Sequence, residues 1–516
     1  MIVTETELIN RKLAYHYADW ESRMINSLLQ EDQLSPEKTR MKEGERYYNY
    51  EHDVLQKDFT AEVLEETVEN CESGEEETVR RSFRNPNRSN HHNVDSFHHV
   101  LVEQKVSYLL SREPTISVKG SEDDKTLKAY EDLLSEWSDE GLNELLQDLA
   151  TGASNKGWEA VHFYYDDAGR LQFCIVPAET IIPIYDTVYQ NELVELIRYY
   201  PIEVYQGETK SIRTKVEWWT KEDVTYYLEG ENKQYSLDTG VEVNPAPHFY
   251  LVTSIDGQKV KKEPHSWGRV PFVILKNNKN SRTDLEAIKG LVDAYDLISS
   301  EGVNNFLDLV ELYWTIQGYG GEAAASIARR LRINKAVSIQ DASGGSGVSA
   351  HQVELPVAGR IEFLKMLRRD IYHFGQGVDT DTDKFGNAPS GVALKFAYTQ
   401  LDLKANAMQA KLKQAIKEIF WFLTVDYNRS NHTDYDSSLI KVALNKTLIT
   451  NDLELVQMIA QSKGIVSDKT LLGAHPLVDD VNEELDELEA QEAREQDKVK
   501  DEYFLSKGGV GNEPKQ

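Results

Sequence analysis

The chain is poor in cysteine, in basic residues and in long apolar runs, and each shortage narrows what it can be. Only Cys71 and Cys174 occur, so one disulfide is the most that can form and a reduced, cytosolic origin is the simpler expectation. No apolar run approaches the ~18 residues of a membrane-spanning helix and the N-terminus has no signal-peptide pattern, so a soluble, intracellularly made protein with no membrane partner is expected. Lysine and arginine number 57 against 87 acids, a net charge of −30, which excludes broad electrostatic wrapping of nucleic acid. A chain of this charge that meets DNA must do so through few, placed contacts. Walker A, nucleophile-elbow and zincin patterns are missing as well. No catalytic residue, cofactor or metal is therefore assigned.

What is present is globular: 516 residues, 40 % apolar and 9 % aromatic, enough for about two to four domains with a sizeable core. The organising stretch runs from Arg360 to Asn428. In Arg360–Phe374 the residues Ile361, Leu364, Leu367, Ile371 and Phe374 recur at steps of three and four, one stripe of an amphipathic helix that Gly375 and Gly377 should end. Val378–Ser390 is rich in Asp, Gly, Asn and Pro and reads as a loop, with Ser390 as an N-cap. From Gly391 to about Asn428 an uninterrupted Ala-, Leu-, Lys- and Gln-rich run predicts a helix about 55 Å long.

Upstream, residues 1–35 and the stretch after Ser35-Pro36 read as helices. The glutamate-rich run Glu62–Glu77 reads as a solvated or mobile excursion. Asp95–Ser111 is an amphipathic helix, followed by a strand at Thr115–Lys119 and helices at Asp124–Trp137 and Leu142–Ser154. Residues 157–275 alternate as a mainly antiparallel β region, with a hairpin turn at Asp167-Ala168-Gly169 and strands at Leu193–Tyr200, Val216–Thr220, Val224–Leu228 and Phe249–Thr253. Asp284–Tyr313 returns to helix, capped by Asp284, with Leu285, Ile288, Leu291, Tyr295, Ile298, Phe306, Leu309 and Tyr313 as its buried stripe. A small α/β insert, 314–358, follows. After Asn428 come a strand at Leu439–Leu444, short helices at Asp452–Ser462 and Asp468–Leu472, an acidic helix at Val481–Val499 and a disordered tail, 501–516. The fold class is α+β.

Three motifs invite chemistry. Asp379, Asp381 and Asp383 alternate as in a calcium loop, but the sixth position is Lys384 instead of Gly and the twelfth is Ser390 instead of Glu. Gly318, Gly320 and Ala323 with Asp341 fit a dinucleotide fingerprint, yet the strand-helix units such a domain needs do not follow; a dinucleotide-binding enzyme built on 314–341 is the runner-up reading. His91, His92, His98 and His99 straddle a helix start and point apart. In the insert, Trp314, Tyr319, Arg329, Arg330, Arg332 and Lys335 form an aromatic and basic patch in an acidic protein.

Three strings resemble one family in their order and spacing: PHSWGRVPFVILKNN at 264–278, DLEAIKGLVDAYDLISS at 284–300 and GVDTDTDKFGNAPSGVALKFAYTQLDLKA at 377–405. The chain is similar to the portal proteins of tailed bacteriophages, in the siphovirus-type group infecting Gram-positive bacteria. The resemblance implies a non-enzymatic homo-oligomeric ring, of 12 subunits, at one capsid vertex of the virion, assembled in the host cytoplasm. It implies a channel for double-stranded viral DNA, and contacts with terminase, head-to-tail connector proteins, capsid and scaffolding proteins. It further implies a wing in 1–283, a descending stem helix at 284–313, a clip at 314–358, an ascending stem helix at 359–377 and a tunnel loop at 378–390. A channel helix at 391–428, a return to the wing at 429–451 and a crown at 452–500 complete it. On that reading Asp379, Asp381, Asp383, Lys384, Phe385 and Asn387 face the channel, the acids repelling phosphate while Lys384 offers one exchangeable contact. Arg329, Arg330, Arg332 and Lys335 become a docking surface for terminase or connectors.

Overall fold

The computed structural model describes residues 3–14, 19–69, 76–86, 88–121, 124–138, 140–188, 192–206, 209–255, 259–308, 313–317, 347–351, 357–380, 391–446 and 452–475, with single residues between 478 and 491. The α+β chain divides into two units, Met1–Asn49 with His98–Ala287 and Tyr372–Gln516, and Tyr50–Phe97 with Ile288–Ile371.

In the first unit, helices Glu5–Ala14 and Trp20–Gln33 pack Leu8, Met24, Ile25 and Leu28 against Ile182, Ile197, Val216 and Trp218 of a seven-stranded sheet. Helix Pro36–Tyr48 starts where Ser35 accepts a hydrogen bond from the Lys38 N–H and Pro36 fills the first helical position, which has no use for an N–H. The body of the sheet is the antiparallel run Ile181–Tyr185, Leu193–Gln206, Thr209–Trp219 and Asp223–Glu229. Its central hairpin is longer than alternation indicates. In the outer half Ile202 and Val204 are half-buried, but Tyr205 and Ile212 are exposed at 64 % and 72 %, so apolar residues stand on the outward face as well and blur the alternation.

A three-stranded sheet places Trp158–Tyr165 between Leu171–Val176 and Phe272–Lys276. The helix Gly391–Asn431, 41 residues and about 60 Å long, lies across it. Ala405, Met408, Leu412, Ile416, Ile419 and Phe420 repeat at three- and four-residue steps and are buried with Val161, Phe163, Val273 and Leu275. Phe163 stacks on Phe422 with centroids 4.4 Å apart. Each such fully buried side chain contributes about 1.5–3 kcal/mol, which holds a helix far longer than the globular average in place.

The second unit departs from expectation in three places. The glutamate-rich run, read as a solvated or mobile excursion, contains a β-ribbon that the reading did not foresee, Ala61–Glu69 paired antiparallel with Glu76–Arg84. Val63, Thr67, Val68, Thr78 and Val79 are residue types that favour strands, a weak signal beneath the charge. The helix expected over 284–313 is Lys289–Leu307, preceded by a 3-10 turn at Leu285–Ala287, and Tyr313 begins a strand, Tyr313–Gln317. Of the expected stripe Leu285 and Ile288 are buried, but along the helix the buried positions are Val292, Asp296, Ser300 and Asn304, while Phe306 is 69 % exposed.

The polar stripe has a reason. Residues 89–95 run antiparallel to the helix, and their alternate N–H groups end on side chains one helical turn apart. Ser89 donates to Asp308 (2.8 Å), His91 to Asn304 (2.8 Å), Asn93 to Ser300 (2.9 Å) and Asp95 to Asp296 (2.9 Å). Asn304 Nδ2 also donates back to the His91 carbonyl at 3.0 Å. The helix thus does for this segment what a neighbouring strand would do, satisfying backbone groups that would otherwise be orphaned. Asp296 in addition holds the buried His52 ring through Nδ1 at 2.5 Å.

Helix Val357–Phe374 buries Leu367 and Ile371, whereas Ile361, Phe363, Met366 and Phe374 are exposed, so of the expected stripe only the middle is used within one copy. Of the acidic helix expected at 481–499, residues 481, 484, 485, 487, 488 and 491 are helical. Residues 492–499, the tail 501–516 and the cap Ser390 lie outside the described residues.

Asn304→Ala removes both bonds to His91. It should destabilise this segment by about 1–2 kcal/mol and speed amide exchange at His91 while Asn93, held by Ser300, keeps its protection; hydrogen exchange read residue by residue checks both.

Candidate functional site

Of the residues expected to face a channel, only Asp379 is described, and it is half-buried. Asp381, Asp383, Lys384, Phe385 and Asn387 lie outside the described residues, as do Arg329, Arg330, Arg332, Lys335, Gly318, Gly320, Ala323 and Asp341. What the structure presents is the anchorage of Val378, at which the 378–390 segment begins.

The anchorage begins at the end of helix Val357–Phe374. Gly377 N–H bonds the Tyr372 carbonyl (3.0 Å) and Gln376 N–H the His373 carbonyl (3.3 Å), with Gln376 left-handed at φ 56°. This is a Schellman stop, and its left-handed residue is Gln376, not either flanking glycine. Gly377 is needed for another reason: a Cβ there would come within 2.0 Å of the Leu101 side chain and 2.9 Å of the Gln104 amide oxygen. That close approach lets Gln104 clasp the next residue on both sides, accepting from the Val378 N–H (3.0 Å) and donating to the Val378 carbonyl (2.8 Å). Val378 is buried.

Beside the clasp sits a buried charge cluster. Asp284 receives Lys105 Nζ at 2.6 Å, Lys404 Nζ at 3.2 Å and Asn277 Nδ2 at 2.9 Å. Lys105 also donates to Asn277 Oδ1 at 2.8 Å, and Lys404 to the Gly375 carbonyl at 2.9 Å, placing a cation at the C-terminal end of helix Val357–Phe374. Burial alone would raise the Asp284 carboxyl; Lys105 and Lys404 outweigh it and hold the group well below the usual carboxylate range. Burial brings Lys105 down to about 8 despite Asp284. The cluster joins helix Phe97–Leu110, the loop entering the 3-10 turn, the end of helix Val357–Phe374 and the long helix Gly391–Asn431 at one point.

Asp284 therefore is not the cap expected of it. Thr283 and Glu286 form a reciprocal capping box, Thr283 N–H to Glu286 Oε1 at 3.1 Å and Glu286 N–H to Thr283 Oγ1 at 3.3 Å, which frees Asp284 for the lysines. The histidines have separate partners: His98 bonds Asn155 Oδ1 at 3.0 Å, His99 packs on Tyr48 with the rings tilted by 35° and His92 bonds the Lys57 carbonyl. Burial pushes His98 down to about 4. Gln104, Lys105, Asn277 and Lys404 went unnoticed in the sequence. Lys105 had a signal, because it lies four residues from both Leu101 and Leu109 on the buried face of its helix.

The cluster is a set of buried, mutually paired side chains beside the Val378 backbone, where the acidic stretch 379–383 begins. The chain belongs to the phage portal protein family, SPP1 Gp6-like, whose model matches residues 30–498. It is 29 % identical over 495 residues to the portal protein of Bacillus phage SPP1, covering 95 % of this chain and 90 % of that one. With the portal protein of Clostridium phage phiCD119 it shares 29 % identity over 480 residues, 89 % of this chain and 94 % of the other. Membership makes it a non-enzymatic component of the virion capsid and implies a capsid-associated oligomeric ring. The dinucleotide reading gives way accordingly. Tyr313–Gln317 pairs antiparallel with Gly347–His351, and the remainder of the 314–341 unit lies outside the described residues.

Asp284→Asn would leave two buried ammonium groups without a counter-ion and should destabilise the subunit by about 3–5 kcal/mol. Lys105→Met added to it should recover part of that loss. Urea unfolding of wild type, single and double variants compares them, and a double variant no better than the single would show that charge is not the cause.

Proposed function

We propose that twelve copies close into a ring at one capsid vertex, that double-stranded DNA passes through it during packaging and ejection, and that residues 378–390 form a loop facing that DNA. The observation that supports this most is the Gln104 clasp on Val378. A segment headed by Asp379 leaves a joint locked by hydrogen bonds and buried charge, so its root is rigid while its turn-forming residues follow a moving polymer. Acids at 379, 381 and 383 would keep phosphate sliding instead of sticking. Exposed apolar residues on the bracketing helices, Val303, Phe306 and Leu307 on one and Ile361, Phe363 and Met366 on the other, favour contacts with further copies. In this reading 284–313 and 359–377 are the stem, 314–358 the clip, 391–428 the channel helix and 452–500 the crown. Terminase, connector, capsid and scaffolding proteins are the partners, and the ATP hydrolysis that drives packaging belongs to terminase.

Shortening 378–390 should leave closed rings in electron micrographs but reduce packaged DNA per particle to near background. Asp379→Lys, Asp381→Lys and Asp383→Lys together should slow packaging in a salt-dependent way. Normal packaging by both would remove the loop from the mechanism.

Reversing Arg329, Arg330 and Arg332 to Glu should keep the rings and abolish packaging, since rim charge governs partner choice more than folding. Loss of the ring itself would make those residues structural.

A further inference from the structure

A cavity of about 710 Å³ in the first unit gathers cations in a protein that is otherwise strongly acidic. Lys221, Arg269, Lys276 and Lys411 line it together with only two carboxylates, Glu192 and Glu418. Lys221 is taken by Glu192. Arg269 lies over the Trp421 ring at 4.1 Å and Lys276 over the Tyr185 ring at 4.5 Å. Neither of these, nor Lys411, forms an ion pair among the described residues. Lys276 is depressed by burial and by the neighbouring Lys411 charge, and burial raises the Glu418 carboxyl, weakening the one acid near Arg269. The sequence agrees: between Asp402 and Glu418 stand Lys404, Lys411, Lys413 and Lys417 with no acid among them. Four cations share two carboxylates here, and an excess of like charge held together is unfavourable unless something anionic arrives.

Two features select the anion. A cube of this volume is about 9 Å on edge, and the major groove of B-DNA alone is about 12 Å wide, so a duplex cannot enter while carboxylate side chains can. The second unit supplies such side chains. The ribbon of Ala61–Glu69 and Glu76–Arg84 pairs only with itself among the described strands, and an isolated two-stranded ribbon is marginal in water. Toward its turn the two strands carry Glu65, Glu66, Glu69, Glu76 and Glu77 and no basic residue before Arg80. We propose that the cationic cavity is one half of the subunit contact in the ring, and that its occupant is the acidic ribbon of a second copy. This rests on the ring reading and answers a problem that reading raises: subunits of charge −30 repel unless a heterologous interface sets opposite charges face to face.

The test uses the full chain. Lys276→Glu with Lys411→Glu should shift native mass spectra from rings to monomers at moderate salt, and so should Glu65→Lys, Glu66→Lys, Glu69→Lys, Glu76→Lys and Glu77→Lys together. Circular dichroism and melting of each variant confirm the fold. Mixing the two variants should restore rings in which they alternate, because each presents the complement the other lacks; a contact within one chain cannot be rescued this way. Rings from the cavity variant alone, or no rescue on mixing, overturn the proposal. Retained rings that have lost binding of inorganic phosphate would also overturn it, by making the cavity a phosphate site. A wild type that is itself monomeric would overturn the ring reading instead.

Discussion

Two ammonium groups meet one carboxylate at Asp284, and the placement of four chain segments follows from that meeting. Lys105 brings in helix Phe97–Leu110, Lys404 the long helix, and Lys404 again the last carbonyls of helix Val357–Phe374. A buried ion cluster is a poor source of net stability, because desolvation consumes most of the attraction. What it supplies is intolerance of displacement: no member can move without leaving another charged and alone. Hydrophobic packing of the long helix provides the stability, and the cluster fixes register.

Much of this was legible in advance. The long helix, the hairpin around Gly169 and the mainly antiparallel 157–275 region follow from period and turn chemistry, which are local. The joint was not legible, since its members come from residues 104–105, 277–284, 375–378 and 404 and only the folded chain brings them together. Lys105 looks like any helix-surface lysine until its position between Leu101 and Leu109 is weighed. Asp284 was misread for the opposite reason. It stands where a cap often stands, and Thr283 one residue earlier does the capping. The polar stripe Asp296, Ser300, Asn304 escaped because amphipathic reading assigns polar residues to solvent, whereas here they face a backbone. Of the proposed channel and docking residues, the structure describes Asp379 alone.

On the proposed reading residues 378–390 act on a passing polymer, and a segment with that task needs a root that does not yield. Loops anchored by apolar contact can slide by fractions of a side chain, because dispersion is non-directional. Directional bonds to both sides of the Val378 backbone do not permit that, and the glycine before it removes the only atom that would hold the clasp open.

The helix that serves residues 89–95 as a partner also measures them. One helical turn of four residues advances about 6.0 Å, while two residues of extended chain advance about 6.6 Å. The two scales form a vernier: aligned at one rung, they are about 1.8 Å out of step three intervals later. Four bonded rungs are near the limit that side-chain reach can absorb, so the segment carries its own stop. Any insertion between Ser89 and Asp95 would leave some rungs unmade and could not be taken up by sliding along.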